Sequence, residues 1–360
     1  MVRGTASRRL SIGALLLFLG AGCAFKAPRP DIVTTSATRR DALARARVWS
    51  ATPTARLDIA RGPGGPGSFA PGALVECTFV DKEMSGTTPK FACRLPTGRE
   101  IKVKYGRDNG EVYAEVAASR LLWALGFEAD AMYPVRVRCH GCPGGTPGGK
   151  ARLFDPATIE RKVKGRSLAD EEGEGWSWPE LDQVAQKGAL STRAQRDALK
   201  LLAAMLQHTD SKRVQQQLVC EDDATAAGCR RPVAYIADLG KTFGKANLMN
   251  RDAPSSVNLE AWLAAPVWDD ATGCRANAGV TFTGTLRDPS ISDEGRQLLA
   301  RLLRQLSDAQ LRELFDVARF PMRAAAIGRH GETVDRWVTA FRRKSAEIAE
   351  RRCDVVRAER

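Results

Sequence analysis

The sequence predicts an α+β fold, with strands and one helix gathered in the first half and helices filling the second. Three observations predict it. Between Val75 and Tyr105, short apolar runs are separated by small-residue turns, and 100–105 alternates strictly, the period of half-buried strands. Residues 111–125 place Ala114, Ala117, Ala118, Leu121, Leu122 and Leu125 at helical spacing and stop at Gly126. From residue 193 onward the longest periodic segments are helical: 193–208, 293–306, 309–318 and 334–351. The 360 residues are 43% hydrophobic, enough for one large or two small domains with a core and too apolar for disorder. The formal charge of +13 fits a solvated basic surface or an anionic partner. No basic run is interleaved with aromatics, so nucleic acid is not an expected partner.

In chain order, Arg3, Arg8 and Arg9 precede an apolar run over 10–19, then Gly20, Ala21 and Gly22 lead to Cys23. The run is shorter than the ~20 residues of a membrane span, and the order is that of a secretory signal over 1–22. Residues 23–72 read as tether and linker with a helix over 39–49; the Gly/Pro-rich stretch 61–72 has no strand leading in and no G-K-[ST] behind it. Strands 75–84 and 90–95 then flank the turn Ser85-Gly86-Thr87-Thr88-Pro89. In strand 100–105, Ile101, Val103 and Tyr105 share one face, and Lys102 and Lys104 the other. Strands follow at 132–137 and 157–163, helices at 181–189 and 193–208, and short strands at 217–219 and 233–237. Ser307 and Asp308 are placed to cap helix 309–318. The last helix is basic and amphipathic, with Val338, Phe341 and Ile348 directed inward and its basic face directed to solvent or a membrane surface.

Setting Cys23 aside leaves eight of nine cysteines, and an even number in an exported chain points to disulfides. Spacing pairs Cys77 with Cys93, Cys139 with Cys142 and Cys220 with Cys229, which leaves Cys274 with Cys353. Free buried thiols are the alternative. Cys139-His140-Gly141-Cys142 also reads as a redox pair or half a zinc site, although a second C-x-x-C is missing.

The chemistry gathers in residues 201–240. An apolar run ends at His208-Thr209-Asp210-Ser211-Lys212, and the run Val233-Ala234-Tyr235-Ile236 ends at Asp238-Leu239-Gly240. The first resembles the H-R-D-x-K-x-x-N catalytic loop of protein kinases, with Thr209 for Arg and Gln215 for Asn; the second resembles D-F-G, with Leu239 for Phe. Residues 115–126 look like the Leu/Ala-rich helix of HipA-type kinases, in which a preceding Glu pairs with a strand lysine. Leu19-Gly20-Ala21-Gly22-Cys23 resembles a bacterial lipobox, where the Cys is lipidated. Taken singly, each motif also has a plain structural reading as a polar loop, a strand end or a surface glutamate.

Over roughly residues 75–244 the chain thus resembles the atypical kinase-like superfamily of HipA, the phosphoinositide kinases and the secretory-pathway casein kinases. The resemblance implies two lobes: a small antiparallel sheet with one helix and a hinge (73–163), and a mainly helical lobe with the catalytic loop (164–360). It implies that Asp210 orients an incoming hydroxyl and that Lys212 meets the γ-phosphate. Asp238, with Gln215, would hold Mg²⁺ or Mn²⁺, with Gln216 or Gln217 as substitutes for Gln215. Lys104, fixed by Glu115 or else by Glu111, would hold the α/β-phosphates of ATP. Ser85, Gly86 and Thr87 occupy the place of the phosphate-covering turn, without its G-x-G-x-x-G; an ordinary hairpin turn is the other reading. The expected function is an exported kinase acting on an unknown hydroxyl. The alternative is an inactive kinase-like lipoprotein binding another envelope protein, because ATP is scarce outside the inner membrane. A lipid anchor on Cys23, with Ala24 behind it, would place the chain in the cell envelope, at an outer membrane facing the periplasm or the exterior.

Overall fold

The described chain opens with strand β1 (Ile32–Val33) and helix α1 (Ser36–Arg45), capped where the Thr35 hydroxyl accepts from Thr38 N. This computed structural model describes residues 1, 32–86, 88–142, 151–222, 228–244, 256–271, 273–279 and 284–353. Residues 2–31, with Cys23 and all but the first residue of the expected signal segment, and Thr87 lie outside them. From residue 32 the expected tether is part of the body: Ala42, Leu43, Ala46, Val48 and Ile59 are buried in the main core. The predicted helix 39–49 starts three residues earlier and ends at Arg45.

Strands β2 (Leu74–Val80), β3 (Lys90–Arg94) and β4 (Glu100–Tyr105) form an antiparallel meander. Helix α2 (Glu111–Leu125) follows, ended by Gly126 in the left-handed region at φ 87°. Then come β5 (Ala131–His140) and β6 (Arg152–Arg161). The expectation of a small antiparallel sheet is corrected here: these strands close into a barrel in the order β2-β3-β4-β6-β5. A ring of five strands cannot alternate direction throughout, so one neighbouring pair must be parallel. It is β2 with β5, in register Cys77↔Cys139. Passage through α2 supplies the long crossover that parallel neighbours require. Ile101 and Val103 fill the barrel interior, so Lys102 and Lys104 stand on its outer face.

Every residue of α2 except Trp123 is buried, because the helix is wedged between the barrel and the main core. Its Arg120 points at the chain that was read as linker and donates to the carbonyls of Ile59, Ala60 and Met132. Burial lowers the guanidinium to about 10. A Cβ at Gly62, where φ is +73°, would meet Arg120 Cζ at 2.8 Å, so glycine is required where the strap crosses the arginine.

The second sheet has the order β1-β7-β8-β9, with β7 (Arg166–Ala169), β8 (Gln216–Cys220) and β9 (Pro232–Ile236). Helix α3 (Arg193–Met205) leads into β8 after a Thr192/Gln195 capping box. The predicted helix 181–189 is not formed. A 3-10 turn, Trp178–Asp182, stands there, and the Ala185 and Leu190 amides donate to the Ala44 and Arg45 carbonyls at the end of α1. Helices α4 (Leu259–Ala264), α5 (Asp293–Arg304), α6 (Asp308–Val317), α7 (Phe320–Ala326) and α8 (Val334–Glu350) complete the body. Ser307 caps α6 as predicted, and Val338, Phe341 and Ile348 of α8 are buried. No described helix is long and apolar enough to cross a membrane. The eight described cysteines form the three bonds that spacing suggested, Cys77–Cys93, Cys139–Cys142 and Cys220–Cys229, and the one that remained, Cys274–Cys353.

Candidate active site

A cavity of about 870 Å³ lies between the outer face of the barrel, the start of α2 and the loops that flank β8 and β9. Strand β4 delivers Lys104 to it, and one turn of α2 delivers Glu111. The α3–β8 loop brings Asp210, Lys212 and Gln215, and the chain after β9 brings Asp238. Ser85 and Gly86 of the β2–β3 turn also face it. Glu115 stands behind Lys104 rather than on the cavity wall.

Lys104 is the meeting point. Its ammonium contacts Glu115 Oε1, and it lies 3.5 Å from Asp238 Oδ2 and 3.7 Å from Glu111 Oε2. Burial disfavours the charge on Lys104, but the carboxylates of Glu115, Asp238 and Glu111 outweigh it and raise the pKa above its ordinary value. Asp238 shows the converse balance. Burial raises it, while the Lys104 ammonium and the Gly240 amide at 3.0 Å together hold it well below the carboxylate range. Glu115 is raised well above its ordinary value by burial, against the pull of Lys104 and with Asp238 and Glu111 adding to the rise. Its Oε2 is buried without a hydrogen-bond partner.

Sequence reasoning named Glu111 as an alternative to Glu115, and the two do different things. Glu115 seats the lysine from behind. Glu111 faces the cavity, accepts from Thr88 and pairs with Lys241 at 3.1 Å. Lys241 was missed, although it directly follows Asp238-Leu239-Gly240. Lys90, Lys102 and Glu160 also line the cavity, and β6 pairs Glu160 with Lys102. The backbone of the expected hinge is partly engaged: Val163 N donates to buried Asp130 Oδ1 at 2.8 Å.

In the catalytic-loop candidate, Asp210 pairs with Lys212 at 3.1 Å and accepts from Gln215 Nε2 at 3.3 Å. The Gln215 carbonyl accepts from Ala237 N at 2.9 Å and Asp238 N at 3.3 Å, tying the two acidic loop ends together. Gln216 cannot replace Gln215 as a ligand, because its amide is buried against His208. With its oxygen toward that ring, it accepts from Nε2–H at 3.1 Å and donates to the Lys212 carbonyl at 2.7 Å. Gln217 does reach the cavity wall.

Burial lowers His208 to about 4, so it is neutral at pH 7 and acts as a fixed donor that orients the loop. The sign follows from linkage. The unfolded state takes up a proton below about 6.5 and the folded state does not, so stability is lost as pH falls from 6.5 toward 4. The loss amounts to roughly 3 kcal/mol. Urea unfolding across pH 4–7 should show a flatter profile for His208→Gln than for the parent chain; parallel profiles would remove His208 from this role.

The donors Asp238, Glu111 and Glu115 bring carboxylate oxygens within 4.8 Å of one another. The Lys104 ammonium sits among these three, so the hard oxygens on the cavity wall that fit Mg²⁺ or Mn²⁺ are those of Asp238 and Gln215.

No family model matches the chain, and no curated protein matches it. Among solved structures it is similar to the proinflammatory kinase CtkA of Helicobacter pylori, at 11% identity and TM-score 0.39, covering 74% of this chain and 96% of that one. It is also similar to the Golgi casein kinase, at 11% identity and TM-score 0.37, covering 78% and 73%. The Golgi casein kinase with Mn/ADP bound gives 12% identity and TM-score 0.33, covering 78% and 76%. These are distant likenesses.

Proposed function

We propose that the chain is a two-lobed, kinase-like phosphotransferase that binds a nucleoside triphosphate in the cavity between barrel and helical body. One observation carries the reading: Lys104, backed by Glu115, meets Asp238 at one wall of a cavity that also holds Asp210. These residues come from a strand, a helix and two loops far apart in sequence, and a solvated surface would not bury a lysine among three carboxylates. The volume is within the range of small-molecule sites.

In this reading Lys104, held rigid by Glu115, neutralises charge on the phosphates. Asp210 accepts the proton of an acceptor hydroxyl and aligns its oxygen for attack. Lys212, in the same loop and partly exposed, compensates charge on the transferred phosphoryl group. Ser85 and Gly86 offer donors from the β2–β3 turn. Asp238, with Gln215 beside it, would hold a divalent cation, which supplies charge neutralisation across the phosphates. The acceptor class is a hydroxyl of protein, lipid or sugar. Export and lipid anchoring at Cys23 belong to the same proposal and rest on the sequence of residues 1–23.

A second reading, an inactive binding module, is favoured by Gln215. Its amide nitrogen is engaged by Asp210, and Gln replaces the Asn of the resembled loop. Melting the chain with ATP and Mg²⁺ or Mn²⁺ tests the first step, since a ligand at 100 times its Kd stabilises by about 2.7 kcal/mol. A metal-dependent rise together with ATP turnover or autophosphorylation is the expected result. A rise without turnover selects the inactive module, and no rise with ATP or GTP overturns nucleotide binding.

A further inference from the structure

Arg213 directly follows Lys212 in the catalytic-loop candidate but does not line the cavity. It donates through Nη2 to Asp170 Oδ1 at 2.9 Å and through Nε to the Gly175 carbonyl at 3.1 Å, and it pairs with Glu172. The other Asp170 oxygen, Oδ2, accepts from Arg39 Nε of α1 at 2.7 Å. Arg39 Nη1 donates to the same Gly175 carbonyl at 3.2 Å, and Nη2 contacts Glu180. One carboxylate and one carbonyl thus join two guanidinium groups from opposite ends of the described body.

The junction is closed to water. The Arg39 and Asp170 side chains are 3% and 1% exposed. Ser36 Oγ adds a bond to Asp170 Oδ2 at 3.2 Å, and β1 pairs with β7 just before it, in register Val33↔Ala169. Gly175, at φ +87°, is tied to the loop as well: a Cβ there would meet the Arg213 carbonyl oxygen at 2.1 Å. Residues 170–175 are therefore clamped between the start of the described chain and the catalytic-loop candidate. A buried carboxylate with an arginine on each oxygen leaves little freedom to either partner, because releasing one strands a buried charge.

We propose that Arg39 is a positioning residue for the catalytic loop, acting through Asp170 on Arg213. The proposal rests on the phosphotransferase reading and assigns that site a support outside the cavity. Arg39, Asp170 and Arg213 do not line the cavity, so their effect on a bound nucleotide is indirect. Arg213 fixes the backbone between Lys212 and Gln215, and the Gln215 carbonyl in turn holds the Ala237 and Asp238 amides. Without the clamp, Asp210 and Lys212 would shift relative to Lys104 and Glu115, which the barrel and α2 hold. The expected signature is lost turnover with nucleotide binding retained.

The test begins with hydrogen exchange on the unmutated full chain. The Arg39 amide, bonded to the Thr35 carbonyl, and the Gln215 amide, bonded to the Lys212 carbonyl, should open in one event with one denaturant dependence, separate from the amides of β3 and β4. Arg39→Lys then keeps the charge but not the planar fork that serves Asp170, Gly175 and Glu180 together. It should speed exchange at residues 211–216, spare β3 and β4, and lower kcat by about 10- to 100-fold, with the ATP-dependent rise in melting temperature still present. Arg40→Lys, at the exposed neighbouring position, should match the parent. Independent opening of the two amides, or parent-like turnover in Arg39→Lys, overturns the proposal. A parent chain that neither binds nor turns over ATP sinks the phosphotransferase reading instead, and the exchange measurement still decides whether Arg39 holds the loop.

Discussion

Replacing Lys104 with methionine should destabilise the chain by about 3–5 kcal/mol, the cost of removing one partner from a buried ion pair. Methionine keeps most of the stem and its packing, so the loss reports the charge. Without the ammonium, Glu111, Glu115 and Asp238 face one another within 4.8 Å, and Lys241 still pairs with Glu111 at 3.1 Å. The urea midpoint should fall by a corresponding amount. Lys104→Met combined with Glu115→Gln should recover part of the loss, because the pair is coupled. A midpoint within ~0.5 kcal/mol of the parent would show that Lys104 does not hold the cluster together.

Asp238→Asn should cost activity far more than stability. Lys104 keeps Glu115 and Glu111 as partners, but the change forfeits the interactions that hold the Asp238 carboxylate ionised below its ordinary range, so the unliganded melting temperature should fall, by less than in Lys104→Met. Phosphoryl transfer should fall by about 10²–10³-fold, the usual effect of deleting one group that stabilises developing charge, and the nucleotide-dependent rise in melting temperature should vanish. Turnover and melting with and without Mg²⁺–ATP check both halves. Parent-like turnover would remove Asp238 from the chemistry, and a large loss of unliganded stability would make its role structural.

The residues gathered at the candidate site were legible where they sit on or just past a regular element. Lys104 stands one residue before the end of an alternating strand, Glu115 lies on a helix whose limits were read as 111–125, and Asp238 follows an apolar strand. Three disulfide pairs were legible because their partners are close in sequence. What escaped depends on contacts between distant segments. Closure of the sheet is a matter of register between β2 and β5, which local periodicity does not encode. The packed strap before β2 is held by Arg120 donating to carbonyls, and a Gly/Pro-rich composition says nothing of such a partner. Helix 181–189 failed because its backbone amides pair with the end of α1. The bridge from Glu111 to Lys241 joins two cavity residues that belong to different motifs.

The parallel pairing of β2 with β5 also dictates an order of events while the chain is being made. The first three barrel strands leave the ribosome as a sheet whose β2 side has bare amides and carbonyls, the kind of border that recruits other chains. Its rightful neighbour, residues 136–140, emerges only after α2. Slowing synthesis ahead of β5 should therefore promote self-association, whereas slowing it beyond β6 should not.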